Sequence, residues 1–157
     1  MEQDHPDEGS FPGQEAADIL LVEDDVIHAN LILRALKVCG FEHRTEHVRD
    51  GAEALDYIGS VNLPAAKKNS IPKLILLDLV LPKIGGLQVL RQLKSDARTK
   101  SIPVVALTSS KVAIELLESY KLGVNSYVIK PEAPSEFEKL IADISHYWLA
   151  VNEPPPA

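Results

Sequence analysis

Asp18-Ile19-Leu20-Leu21-Val22-Glu23-Asp24-Asp25 passes from a continuous apolar run into three successive carboxylates. Apolar residues without polar alternation mark a strand buried on both faces, the kind that parallel sheets require. A helix follows, with Asp25 as N-cap, Ile27, Leu31, Ala35 and Val38 at helical spacing, and Gly40 at its end. Outward from here the alternation repeats. Residues 41–48 read as a second strand and 52–58 as a short helix, and 59–73, with Pro64 and Pro72, as a long loop. Leu74-Ile75-Leu76-Leu77 is a third strand, and Leu87, Leu90 and Leu93 stripe the next helix. Residues 102–107 form a strand that tolerates Pro103 at its start, and 112–122 a helix stopped by Gly123. Tyr127-Val128-Ile129 is the last strand. The last helix opens on a capping box, Ser135 and Glu138, and buries Phe137, Leu140, Ile141, Ile144 and Trp148. Five such βα units predict an α/β domain with a parallel sheet covered on both faces.

A chain of 157 residues, 45% hydrophobic and 25% charged, is one domain's worth and can bury a real core. Of the net charge of −7, five units come from Glu2, Asp4, Asp7, Glu8 and Glu15, in a stretch free of Lys and Arg. Residues 1–17 therefore read as a disordered acidic tail, 18–150 as the folded domain and 151–157 as a Pro-rich tail. No effector domain is expected after it. No basic stripe favours nucleic acid, and no apolar run is long enough to cross a membrane. Cys39 is the lone cysteine, so no internal disulfide can form; with no basic-then-apolar leader, the expected location is the cytoplasm.

In open α/β sheets, sites form beyond the carboxyl ends of the strands. Glu23 and Asp24 end the first strand, Asp78 the third, Thr108 the fourth and Lys130 the fifth. Clustered carboxylates repel unless a cation neutralises them, and hard oxygen ligands with room for phosphate suit Mg²⁺. With the metal between Asp24, Asp78 and an incoming phosphoryl group, Asp78 is the candidate nucleophile. The Lys130 ammonium and the Thr108 hydroxyl are placed to meet phosphoryl oxygens.

Leu21-Val22-Glu23-Asp24-Asp25, Leu77-Asp78 with Leu81-Pro82 and Gly86, Leu107-Thr108-Ser109, and Asn125 to Pro131 resemble, in order and spacing, the response-regulator receiver family. The resemblance spans residues 17–149. Glu118 to Tyr127 and the ending Tyr147-Trp148-Leu149 are similar to the phytochrome-associated single-domain members. It implies a flavodoxin-like, doubly wound (βα)5 fold with sheet order 2-1-3-4-5. It further implies that Asp78 accepts phosphate from a histidine kinase of the phytochrome type, in a protein that catalyses only its own phosphorylation and dephosphorylation. Asp24, Asp78 and the Val80 carbonyl would bind Mg²⁺, with Glu23 acting through water. Thr108 and Tyr127 would be the switch pair, biasing the surface of helix four, strand five and helix five toward protein partners, a second copy included. The Lys130–Pro131 bond would be cis.

Two positions depart from the pattern. Gly85 stands where the family often carries Asp, so the third helix would lack a side-chain cap. Val80 is apolar where a polar residue often tunes phosphate lifetime. Elsewhere bland readings suffice: His43 and His47 as surface residues, Cys39 as packing, Lys67-Lys68 as a solvated pair. A flavodoxin-type cofactor binder would need a phosphate loop where Glu23-Asp24-Asp25 stands, and a dehalogenase-type phosphatase a second Asp in place of Val80. The remaining alternative is a phosphorylation-independent pseudo-receiver that works as an adaptor.

Overall fold

In a computed structural model of the protein, residues 17–41, 44–61, 71–109 and 111–156 are described. Ile19–Val22 (β1), Leu74–Asp78 (β3) and Val104–Thr108 (β4) are buried at every position, as their unbroken apolar runs require. With Thr45–Val48 (β2) and Ser126–Ile129 (β5) they form one five-stranded parallel sheet in the order β2-β1-β3-β4-β5. Leu21 pairs with His47 and Leu76, Asp78 with Leu107, and Ala106 with Tyr127. The expected fold and strand order are those observed.

Helices cover both faces. Val26–Val38 (α1) and Pro134–His146 (α5) share a core of Ile19, Leu21, Ile32, Leu36, Leu76, Phe137 and Ile141. Gly51–Val61 (α2), Gly86–Ser95 (α3) and Ala113–Lys121 (α4) flank the other, which contains Leu20, Val22, Ile75, Leu77, Leu90 and Ala106. Gly40 and Gly123 adopt φ of 84° and 98° just past α1 and α4. There the following N–H groups, of Phe41 and Val124, reach back to the carbonyls of Leu36 and Ser119, a left-handed stop that only Gly makes without penalty.

Several local expectations change. The buried stripe of α1 is Ala29, Ile32, Ala35 and Leu36, while Ile27 and Val38 are 71% and 81% exposed, so the helix is turned about its axis from the orientation its apolar spacing suggests. β2 starts at Thr45 and not at Phe41, whose N–H bonds to the Leu36 carbonyl and whose carbonyl accepts from the Arg44 N–H. α2 runs on to Val61, making Gly59 helical, and residues 62–70 of the expected loop, Lys67 and Lys68 among them, lie outside the described residues. No capping box forms on α5. Its N-cap is Ala133 with Pro134 in the first turn, where a fixed φ and a missing N–H cost nothing, and Glu138 instead faces Arg34 at 3.4 Å. The described residues contain no cis peptide, so the Lys130–Pro131 bond is trans, the form an X–Pro bond favours by about 0.5–1 kcal/mol. Cys39 is exposed as the C-cap of α1 and packs in neither core.

Candidate phosphoacceptor site

The strand order reverses between β1 and β3, and a site forms beyond their carboxyl ends. Asp78 is the last residue of β3; Glu23 and Asp24 follow β1 directly. Carboxylate oxygens of these three residues all lie within 4.8 Å of one another. Glu23 is 1% exposed and Asp78 7%, whereas Asp24 faces solvent. Lys130, the residue after β5, extends its buried ammonium into the group, 2.9 Å from Glu23 Oε1 and 3.1 Å from Asp78 Oδ2. Asp78 Oδ1 accepts from the Val80 N–H at 3.0 Å, so both of its oxygens are held.

Burial, and after it the neighbouring Asp78 carboxylate, push the Glu23 carboxyl up to about 9 against the opposing pull of Lys130. The rise reflects the cost of charging two buried carboxyl groups beside a single ammonium, a cost that a divalent cation would remove. A close-set group of hard oxygen donors with one member open to solvent fits such an ion.

The loop between β3 and α3 is fixed by space. A Cβ on Gly86 would lie 2.5 Å from both the Asp78 carbonyl oxygen and Leu79 Cα, and one on Gly51 would lie 2.1 Å from the Ile84 carbonyl oxygen. Lys83 takes a positive φ of 65° in this loop and stands 3.3 Å from Asp50. Val80, 65% exposed, is thereby carried beside the acceptor. Gly85 caps α3 with no side-chain bond, as its sequence position suggests.

Thr108 ends β4 and is wholly buried. By strand alternation it shares a face with Ala106, whose neighbour in register is Tyr127, half-buried against the same core cluster. Glu23, Asp24, Asp78, Thr108 and Lys130 thus stand at the carboxyl ends of their strands, while Tyr127 lies two residues short of the end of β5. Two histidines join them unexpectedly. His28 Nδ1 lies 3.0 Å from Lys130 Nζ and 3.3 Å from Glu23 Oε1. His47, half-buried rather than free on the surface, bonds through Nε2 to the Glu23 carbonyl at 2.8 Å. A sequence signal for His28 existed: it lies four residues before Ile32 and eight before Leu36, on the buried stripe of α1.

A doubly wound sheet carrying an acidic cluster and a lysine at its switch point is the plan of a receiver domain. Residues 19–142 match the response regulator receiver domain, and the chain belongs to that family. It is 44% identical over 137 residues to FilR2 of Methanothrix harundinacea (strain 6Ac), covering 87% of this chain and 86% of that protein. Among solved structures, the phosphorylated cyanobacterial phytochrome response regulator RcpA is similar with a TM-score of 0.80 and 38% identity, over 90% of this chain and 99% of that one. The Mn²⁺-bound form of response regulator Rcp1, a Synechocystis protein, is similar with a TM-score of 0.77 and 35% identity, over 88% and 98%.

Proposed function

We propose that this protein is a single-domain response regulator that accepts a phosphoryl group on Asp78 from a histidine kinase of the phytochrome type. The observation that carries the reading is the meeting of Glu23, Asp24, Asp78 and Lys130 beyond the carboxyl ends of three strands. Asp78 forms the new O–P bond as the bond from phosphorus to the donor imidazole breaks. Lys130 meets one phosphoryl oxygen and the Thr108 hydroxyl another. Asp24, Asp78 and the Val80 carbonyl are the proposed ligands of Mg²⁺, with Glu23 acting through water. When bound, that ion offsets negative charge on the carboxylates and the phosphoryl group. The Mn²⁺ held by Rcp1 supports a divalent cation here, and the similarity to RcpA, a phytochrome response regulator, supports the kinase class.

Thr108 moving toward the phosphoryl group would leave space for the Tyr127 ring, biasing the face of α4, β5 and α5. That face is also our proposed homodimer contact: Val112, Ile114, Leu117 and Tyr120 stand exposed along α4, and Ile129 on edge strand β5. Its output is protein binding, with no catalysis on other molecules. A cytoplasmic site fits the exposed thiol of Cys39 and a phosphodonor charged from ATP.

Labelling with acetyl phosphate in Mg²⁺ tests the reading. Asp78→Asn should abolish acid-stable, hydroxylamine-sensitive incorporation, and Asp24→Asn should weaken labelling and Mg²⁺ affinity together. Wild-type labelling by Asp78→Asn would overturn the assignment.

A further inference from the structure

An ammonium group has three hydrogens to donate, and a buried one needs a partner for each. The Lys130 side chain is 3% exposed, and its three partners are Glu23 Oε1 at 2.9 Å, His28 Nδ1 at 3.0 Å and Asp78 Oδ2 at 3.1 Å. His28 comes from the first turn of α1, and its ring is fixed from the other side by Phe137 of α5, 5.8 Å between centroids. The imidazole thus bridges the lysine to the packing of α1 on α5.

Resting on the phosphoacceptor reading of the same site, we propose that His28 is a positioning residue for Lys130. The two carboxylate partners change during the reaction: Asp78 becomes an acyl phosphate, and Glu23 belongs to the group whose charge a divalent cation takes up. His28 changes in neither step. Its Nδ1 lone pair keeps the ammonium aimed at the acceptor while the other two bonds are remade. An apolar side chain at this position would leave one buried N–H without a partner and let the lysine follow whichever carboxylate stays charged. The effect falls on the rate of phosphoryl transfer, since His28 acts through the lysine and not on the phosphodonor.

The test compares His28→Phe, which keeps a ring against Phe137 but has no acceptor, with His28→Asn, whose carbonyl oxygen stands where Nδ1 stood. Losing one hydrogen bond to a charged group predicts a fall of about tenfold in the maximal rate of labelling by acetyl phosphate, with the half-saturating donor concentration unchanged. His28→Asn should recover most of that rate. In parallel, the ¹⁵N–¹H correlation of the Lys130 ammonium is recorded in metal-free protein. It should shift or broaden in His28→Phe and return toward its wild-type position in His28→Asn. Equal labelling rates for wild type and His28→Phe, or an unmoved ammonium resonance, would overturn the proposal. So would His28→Asn behaving as His28→Phe, which would leave only ring volume. If wild type itself takes up no label, the phosphoacceptor reading fails, while the resonance still decides the positioning.

Discussion

Gly86→Ala probes how the loop after the phosphoacceptor is held. Gly86 is buried at the start of α3, and an added Cβ would meet two backbone atoms at 2.5 Å, the Asp78 carbonyl oxygen and Leu79 Cα. Ordinary contact lies between 3.4 and 4 Å, so either α3 or the end of β3 must retreat by roughly 1 Å. β3 has strands on both sides, and the loop is pressed at its other end onto Gly51, so the displacement falls on residues 79–85. Overpacking of this kind costs about 1–3 kcal/mol. Replacing Gly within a helix returns at most ~1 kcal/mol. A net loss of about 1–2 kcal/mol lowers the melting temperature by roughly 2–8 °C in a domain of this size. Labelling should suffer more, because a misplacement of about 1 Å beside the reacting groups costs on the order of a hundredfold in rate. Thermal unfolding and timed acetyl phosphate labelling of the same preparation separate the two effects. A variant that melts early yet labels at the wild-type rate would refute the coupling between this loop and Asp78.

Thr108→Ala should still be phosphorylated, but the NMR shifts of Tyr127 and its neighbours should follow beryllofluoride much less than in wild type; identical responses would remove Thr108 from the switch. A Val112→Glu/Ile114→Glu variant should sediment as a monomer at micromolar concentration where wild type sediments as a dimer, and a monomeric wild type in both phosphorylation states would end that proposal. Asp50 accepts from the Glu53 N–H at 2.9 Å and faces Lys83, and these contacts, the backbone bond first, hold its carboxyl below the usual range. Its contribution is therefore present above the unfolded-state value near 3.8 and lost as pH falls through the lower folded-state value. Urea midpoints of wild type and Asp50→Ala should differ at neutral pH and converge in acid, and a gap that persists at low pH would show that charge is not its source.

The covering of the sheet on both faces was legible in the apolar runs at 19–22, 74–77 and 104–107, since a strand without polar alternation has no face to give to water. The meeting of Glu23, Asp24, Asp78 and Lys130 was legible too, as polar side chains standing at strand ends have one edge on which to gather. Local rules misled where two signals competed. Ser135 and Glu138 have the spacing of a capping box, but Pro134 starts the helix before them. In α1 apolar residues lie on two faces, and periodicity alone favoured Ile27 and Val38, which are exposed.

That ambiguity hid His28. The rotation of α1 about its own axis is set by how Ile32 and Leu36 pack between β1, β3 and α5, the last two more than 30 residues away in the chain. The sequence by itself determined the alternation of strands and helices and the set of residues at the strand ends, because both follow from short-range patterns of burial and turn formation. Only the tertiary structure decided which imidazole reaches Lys130, that His47 bonds to the Glu23 carbonyl, and how far Glu23 is lifted from its ordinary ionisation. Each of these depends on distances of a few ångströms across the sheet and on the water excluded there, and neither quantity is written in the local order of residues.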